Sequence, residues 1–241
     1  MLTAPPSRGP PLGRQRSRTG ISMHPEPETM QPEPETMQPE PETERQQRRV
    51  RAVYGESSIT VYQAYPREIA ERAVEAGTFV APFKKERMTW IKPSFLWMMY
   101  RSGWATKPNQ ERVLAVEITR AGFEWALDHS SLSHFDRQVH ADKGAWMKEV
   151  KESPVRVQWD PDRSPSLAPL PTRAIQIGLS GEAVELYVHD WIIGIDDVTD
   201  LVRSIHSDMC DGQSSDAAPK TPQEREYPLP DQIRRRIGAD G

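Results

Sequence analysis

The sequence predicts an α+β domain with a mixed, mainly antiparallel sheet, flanking helices and a disordered tail at each end. All seven tryptophans lie between Trp90 and Trp191, so the large apolar side chains are concentrated in the middle of the chain. That middle region alternates strand-like and helix-like segments without a regular β-α-β rhythm, which favours α+β. Of the 23 prolines, ten precede Arg45 and four follow Cys210. Segments poor in large apolar side chains cannot offset the entropy of ordering. We therefore expect a folded domain over 49–208, with disordered tails over 1–48 and 209–241.

The first tail contains an acidic repeat, Pro-Glu-Pro-Glu-Thr-Met-Gln, at 25–31 and again at 32–38, followed by Pro-Glu-Pro-Glu-Thr-Glu at 39–44. Its prolines prevent a helix, so the repeat predicts an extended, acidic linker. A single cysteine, Cys210, excludes a disulfide within the chain and suits a reducing compartment, which favours a cytoplasmic location. The chain has no run of 18 apolar residues, so we expect no membrane partner.

The folded region begins with a strand followed by a helix. Residues 59–65 are rich in β-branched and aromatic side chains, which predicts a strand. Pro66 then suits the start of a helix, and Gly77 suits the residue after its last turn. Between them, one face carries the apolar side chains of Ile69, Ala70, Ala73 and Val74.

The next segment, 88–104, combines apolar and charged side chains in an unusual way. Residues 88–91 predict a short strand, and Ser94 predicts the N-cap of a buried helix that ends near Tyr100. Further strands are predicted at 113–118, 155–159, 173–179 and 192–195, with helices at 122–127, 143–151 and 199–205 and a helix capped by Ser180 that contains Trp191.

A basic window surrounds that segment in a chain whose net charge is −4. Between Lys84 and Arg120 there are eight basic and three acidic residues, a local charge of 8 − 3 = +5, interleaved with aromatic residues. This combination is typical of sites for flat, anionic ligands such as a nucleotide or an RNA end. The alternative is that the aromatic residues belong to the core and the basic residues form a solvated rim.

Two other groups are candidates for chemistry. Three histidines, His129, His134 and His140, could hold a metal, but their spacing matches no short zinc pattern, so we assign no metal site. The turn after the strand at 173–179 places Glu182 at a helix start, where backbone N–H groups can hold an anion. An ordinary strand-to-helix turn is the alternative there.

Several strings resemble the domain-of-unknown-function family 4291. They are Val-Tyr-Gln-Ala-Tyr at 61–65, the long string from Glu86 to Lys107, Pro-Val-Arg-Val-Gln-Trp-Asp-Pro at 154–161, Arg-Ala-Ile-Gln-Ile-Gly-Leu-Ser-Gly at 173–181 and Ile-Asp-Asp-Val-Thr at 195–199. The likeness covers about residues 50–207. It identifies the domain without naming a reaction.

A second resemblance, in the order of elements, is to ADP-ribosyltransferase-like domains. These carry a Tyr-His-Gly-type motif on an early strand, a serine or tyrosine on a second strand and a catalytic glutamate on a late strand. Here Gln63 stands where these domains have histidine or arginine, and Gln176 stands where they have the glutamate. The resemblance implies NAD as a ligand. It also implies binding without transfer, since glutamine is no carboxylate, or transfer in which Glu182 substitutes.

We therefore expect an intracellular domain that binds a nucleotide-like or nucleic-acid anion. Lys92 and Arg101 would neutralise phosphate, and Trp90 or Trp104 would stack on a base. Gln63 and Gln176 would contact polar edges, and Ser94 would complete the cleft; the catalytic candidates are Gln176 and Glu182. The rival hypothesis is a non-enzymatic interaction module, whose partners would bind the acidic repeat and the basic run at 234–236.

Overall fold

A computed structural model of the chain describes residues 47–211 and 220–240, which lie within one unit spanning Thr43–Gly241. The predicted acidic repeat lies outside the described residues, as does almost all of the predicted N-terminal tail. The α+β class is confirmed for the described part. No helix among these residues is long and apolar enough to cross a bilayer.

The first predicted strand and helix are confirmed. Strand β2 spans Ser58–Tyr65, and helix α1 spans Arg67–Ala76. Pro66 precedes the helix in an extended conformation, which its fixed φ allows. Gly77 ends the helix with a φ of 67°, in the left-handed region that glycine adopts without steric cost.

The segment 88–104 also folds as predicted. Strand β3 spans Thr89–Ile91 and helix α2 spans Phe95–Ser102. The Ser94 hydroxyl accepts a hydrogen bond from the Trp97 N–H, so Ser94 is the N-cap. After α2 the chain makes a left-handed turn through Gly103, Trp104 and Ala105, each with positive φ.

The remaining elements follow the predicted order, with additions. The strands are β1 (Arg51–Ala52), β4 (Arg112–Thr119), β5 (Ser130–Leu132), β6 (Val155–Arg163), β7 (Pro169–Leu179), β8 (Ile192–Asp197) and β9 (Arg225–Glu226). The helices are α3 (Arg120–Asp128), α4 (Lys143–Glu152), α5 (Glu182–Leu186) continuing as a π-helix (Tyr187–Trp191), α6 (Thr199–Cys210) and α7 (Asp231–Ile237). Gly181, not Ser180, is the N-cap of α5, because the Ser180 hydroxyl donates to the Pro154 carbonyl.

The strands form two main sheets and a small one. Strands β2, β4 and β8 form one antiparallel sheet in the order β2-β4-β8. The second sheet has the order β3-β7-β6-β5, with β5 parallel to β6 and the other pairs antiparallel. Strands β1 and β9 pair with each other. Two backbone hydrogen bonds between Tyr62 of β2 and Lys92, the residue after β3, join the main sheets, with lengths of 2.7 and 3.2 Å.

The expectation of a disordered C-terminal tail is wrong for residues 220–240. Strand β9 pairs with β1, and four apolar side chains of this segment are buried: Tyr227, Leu229, Ile233 and Ile237. Glu224 accepts a 2.5 Å hydrogen bond from the Phe95 N–H at the start of α2. These widely spaced side chains gain their burial from distant parts of the chain, which proline content and composition do not reveal.

Candidate functional site

A pocket of about 720 Å³ opens beside the Tyr62–Lys92 link between the two main sheets. Its walls come from the end of β2, the start of α1, the loop before β3, strand β3, helix α2, the loop 108–110 and strand β7. The volume lies within the range typical of small-molecule sites. The link fixes β2 against β3, so the pocket wall is built on sheet rather than on loops alone.

Four of the six residues that we predicted to bind a ligand line this pocket. They are Gln63, Lys92, Arg101 and Gln176. Gln63, Lys92 and Gln176 are far apart in the sequence, and the Tyr62–Lys92 link and the pairing of β3 with β7 bring them together. Arg101 reaches the same pocket from helix α2. The convergence places the predicted polar groups together without showing what they bind.

The lining is strongly cationic. Lys84, Arg87, Lys92 and Arg101 contribute positive side chains, and none of the described lining residues is an aspartate or a glutamate. Since the whole chain has a net charge of −4, this pocket has the opposite sign to the molecule. A concave site lined by one sign of charge concentrates ligands of the other sign.

Lys92 is the most perturbed of these cations. Its side chain is only 5% exposed, and its Nζ donates a 3.3 Å hydrogen bond to the Trp90 carbonyl. Burial lowers the pKa of the Lys92 ammonium to about 7, and the positive charge of Arg101 contributes to this shift, whereas Asp160 opposes it. Near neutral pH a large fraction of Lys92 is therefore an uncharged amine, which weakens its predicted role as a phosphate anchor.

The other three cations lie at the exposed rim. Arg101 donates a 3.3 Å hydrogen bond to Gln110, which also lines the pocket. Within the described part of the chain, the side chains of Lys84 and Arg87 have no hydrogen-bond or ion-pair partner. An arginine without a partner keeps its full set of donors for a carboxylate or phosphate.

Gln63 is held by neighbouring side chains. Its Nε2 donates to the Tyr65 hydroxyl at 2.8 Å and to the Thr89 hydroxyl at 2.9 Å. Its Oε1 accepts from the Tyr187 hydroxyl at 2.7 Å. Because both ends of this buried amide are satisfied, Gln63 positions the pocket wall and has little capacity left to contact a ligand's polar edges.

Gln176 is bound to a carboxylate that the sequence analysis did not select. Its Nε2 donates a 2.7 Å hydrogen bond to Asp160, and Gln158 donates to the other oxygen of Asp160 at 2.9 Å. The pairing of β6 with β7 sets Gln158 opposite Gln176 and brings Asp160 to the same face. The carboxylate nearest to this wall therefore comes from β6.

Apolar side chains provide a flat surface in the pocket. Trp90 and Phe83 both line it, and Phe83 stacks on Phe79 with ring centroids 4.6 Å apart. Gly178 of β7 leaves room for Trp90, because a Cβ at this position would lie 3.0 Å from the indole. Trp90 is the partly exposed tryptophan of the lining, so it is the candidate for stacking on a base.

Ser94 and Trp104 do not line the pocket, contrary to the sequence analysis. Ser94 is buried and caps α2. Trp104 is 5% exposed, and its ring stacks on that of His206 with centroids 5.1 Å apart. It belongs to a buried hydrophobic cluster that also contains Phe95 and Met99. The left-handed turn after α2 directs this indole into the core, and a single sequence does not reveal such a turn.

The remaining candidates lie elsewhere. Glu182 is exposed at the start of α5, outside the pocket lining. His129 stacks on Trp125. His140 is buried, and its Nδ1 lies within hydrogen-bond distance of the Asp136 backbone carbonyl oxygen. The described residues contain no group of three or more side chains placed to hold a metal ion.

The fold and the pocket define an α+β domain with a cationic cleft at the junction of two sheets. The chain matches the family model described as Domain of unknown function (DUF4291) over residues 49–227. Since the match covers well over half of the chain, the chain belongs to this family. The matched region extends past the predicted end of the domain and includes buried Tyr227, in agreement with the ordered C-terminal segment. No curated protein matches the chain.

Proposed function

We propose that this domain binds a small anionic ligand of nucleotide size in the pocket between β2, β3 and β7. The observation that supports this most directly is a lining with three cationic side chains at the rim, together with Lys92 and, among the described residues, no carboxylate. Arg87, Arg101 and Lys84 hold the phosphates at the rim, and Trp90 offers an aromatic face to the base. The bounded volume of about 720 Å³ favours a mononucleotide or dinucleotide over an RNA chain.

NAD is the nucleotide that the ADP-ribosyltransferase-like resemblance favours. Gln63 and Gln176, which stand at the two motif positions of that resemblance, both line the pocket, and so does Thr89 between them. Gln176 carries no carboxylate, and Glu182 lies outside the lining. The side chains therefore support binding of NAD more strongly than transfer of its ADP-ribosyl group.

The rival hypothesis of an interaction module has less support. Its acidic repeat lies outside the described residues. Two arginines of its basic run are engaged within the domain, since Arg234 pairs with Asp231 at 2.9 Å and Arg236 pairs with Glu149 at 3.1 Å. Arg235 alone is left exposed for a partner in this part of α7.

A titration with four ligands tests the proposal. NAD, ATP, adenosine and a short single-stranded RNA are added to the full chain, and binding is followed by tryptophan fluorescence and by calorimetry. We expect NAD or ATP to bind, adenosine to bind at least about tenfold more weakly because it lacks phosphate, and raised salt to weaken the binding. Absence of both signals with millimolar NAD and ATP contradicts the proposal. If only the RNA binds, the proposal of a nucleotide pocket is wrong and the site is a nucleic-acid-binding surface.

A matched pair of variants locates the binding site. Trp90→Phe is expected to remove most of the fluorescence change while calorimetry still detects binding. Trp146→Phe is the control, because that indole donates to the Leu132 carbonyl in another part of the domain. A fluorescence change that survives in Trp90→Phe and disappears in Trp146→Phe would place the ligand outside the pocket.

A further inference from the structure

Lys92 combines burial, few contacts and access to the pocket. Lys92 lines the pocket, and the hydrogen-bond partner of its amine is the Trp90 carbonyl at 3.3 Å. None of the ion pairs formed among the described residues includes Lys92. Buried ammonium groups are ordinarily paired, because an unpaired buried charge is costly. A neutral amine avoids this cost and retains its lone pair.

Of the two charges that act on the amine, the one with the larger effect favours the same neutral state. Arg101, from α2, is the positive neighbour, and Asp160, from β6, is the negative one. The carboxylate of Asp160 accepts hydrogen bonds from Gln158 and Gln176 and forms no ion pair with Lys92, and its effect on the pKa of Lys92 is smaller than the opposing effect of Arg101. A lysine that is desolvated and lies beside another cation is the usual form of a nucleophilic amine in enzymes.

We propose that Lys92 is a nucleophilic amine that forms a reversible imine with a small anionic aldehyde or ketone bound in this pocket. The rim cations Lys84 and Arg87 hold the anionic group, which leaves the carbonyl carbon free to reach the amine. This inference rests on the proposed function only for the anionic character of the ligand. It adds a covalent step that nucleotide binding does not require.

The step balances without any added oxidant or reductant. The nitrogen lone pair of Lys92 attacks the carbonyl carbon, and a proton moves from nitrogen to oxygen to give a carbinolamine. The hydroxyl group then leaves as water together with the remaining proton on nitrogen, and the nitrogen lone pair forms the carbon–nitrogen double bond to Nζ. Water hydrolyses the imine back to the amine and the carbonyl compound, so the reaction is reversible until a hydride source reduces it.

Pyridoxal 5′-phosphate, an aldehyde that carries a phosphate, is a direct probe. The full chain is incubated with it at about pH 7, reduced with borohydride and digested, and the modified lysines are identified by mass spectrometry. We expect Lys92 to be labelled about tenfold or more faster than exposed lysines such as Lys143, because burial beside Arg101 favours the neutral amine, which is the form that attacks a carbonyl carbon. Labelling of Lys92 at or below the rate of Lys143 overturns the proposal.

Two variants separate chemistry from folding. Lys92→Met replaces the amine with an apolar chain that suits a buried position and is expected to abolish the preferential label, whereas Lys143→Arg leaves it unchanged. Arg101→Gln keeps Lys92 in place and, by removing a positive neighbour, moves the pH midpoint of labelling upward. A midpoint in Arg101→Gln equal to that of the wild type also overturns the proposal. Nucleotide titrations of the same samples show separately whether the anion pocket itself is correct.

Discussion

Gln176, which lines the pocket together with Lys92, donates a 2.7 Å hydrogen bond from its Nε2 to Asp160, and this pair lies at the edge of the pocket wall. The pair explains why a glutamine suits a position where the ADP-ribosyltransferase resemblance implies a glutamate. A carboxylate at position 176 would face Asp160 directly, and two adjacent carboxylates repel each other. The amide removes this repulsion and keeps the pocket cationic.

Gln176→Glu is therefore expected to weaken binding of NAD by about tenfold rather than to restore a catalytic site, because it adds a negative charge to an anion pocket. Calorimetric titration measures the change. Gln138→Glu, at an exposed position outside the lining, is the matched control and is expected to bind as the wild type does. Unchanged or stronger binding in Gln176→Glu would contradict the assignment of this wall.

Binding of NAD is expected to depend on pH through Lys92. The pKa of Lys92 is about 7, so a fall in pH through this value adds a positive charge to the pocket. The pyrophosphate of NAD keeps its charge across neutral pH. We therefore expect affinity to rise by about three- to tenfold as pH falls from about 8.5 to about 6. Lys92→Met should flatten this profile; the same slope in both proteins would show that another group is responsible.

A substitution at Gly122 tests how closely α3 packs against the π-helix. A Cβ at this position would overlap the Trp191 indole ring at Cγ, so Gly122→Ala forces α3 away from the π-helix. We expect a loss of about 2–3 kcal/mol in the free energy of unfolding, measured with denaturant. Gly194→Ala is the control, since a Cβ there has no heavy atom within 4 Å. Equal stability of the two variants would show that α3 has room to move.

A substitution at Glu224 tests the contact between the C-terminal segment and the start of α2, where Glu224 accepts a hydrogen bond from Phe95. Burial and the nearby Asp162 raise the pKa of its carboxyl group to about 8, although the Phe95 N–H and Arg51 oppose the shift. Because the folded pKa lies above the unfolded value of 4.5, this group contributes most stability below pH 4.5 and loses it as pH rises through about 8.

We therefore compare the free energy of unfolding of Glu224→Gln with that of the wild type. Their difference should change by on the order of 2 kcal/mol in favour of the variant when the pH is raised from about 5 to about 9. Unfolding curves at the two pH values give this difference, and the neutral amide of the variant still offers an oxygen to the Phe95 N–H. Glu226→Gln, an exposed position in the neighbouring strand β9, is expected to show no such gain. Parallel profiles for the wild type and Glu224→Gln would refute the buried state of this carboxyl group.

Local signals made part of the fold predictable. The β-branched run of β2, the proline and glycine around α1 and the Ser94 cap each act within a few residues, and each prediction is confirmed. Helix α7 is not predictable in this way, because its burial depends on a long-range return of the chain. Residue type alone predicts a cap at Ser180, but its hydroxyl donates to Pro154 instead.

The candidate site was also predictable only in part, because some of its residues are placed by long-range contacts. Charge pattern selected Lys92 and Arg101, and the ADP-ribosyltransferase-like resemblance selected Gln63 and Gln176. The Tyr62–Lys92 link and the pairing of β3 with β7 bring Gln63, Lys92 and Gln176 together. Asp160 was missed, because its place beside Gln176 depends on the register of β6 against β7. Arg87 belonged to the basic window, but only the structure shows its side chain at the pocket rim without a partner among the described residues.

The dissociation constant of NAD for the Arg87→Ala/Arg101→Ala double variant tests the anion pocket most directly. Removing two rim cations should weaken binding about a hundredfold, at about tenfold for each charge-assisted contact. Arg203→Ala, which removes an exposed arginine on α6, should bind as tightly as the wild type. Equal dissociation constants for the wild type, the double variant and Arg203→Ala would contradict the proposal that this pocket holds an anionic nucleotide.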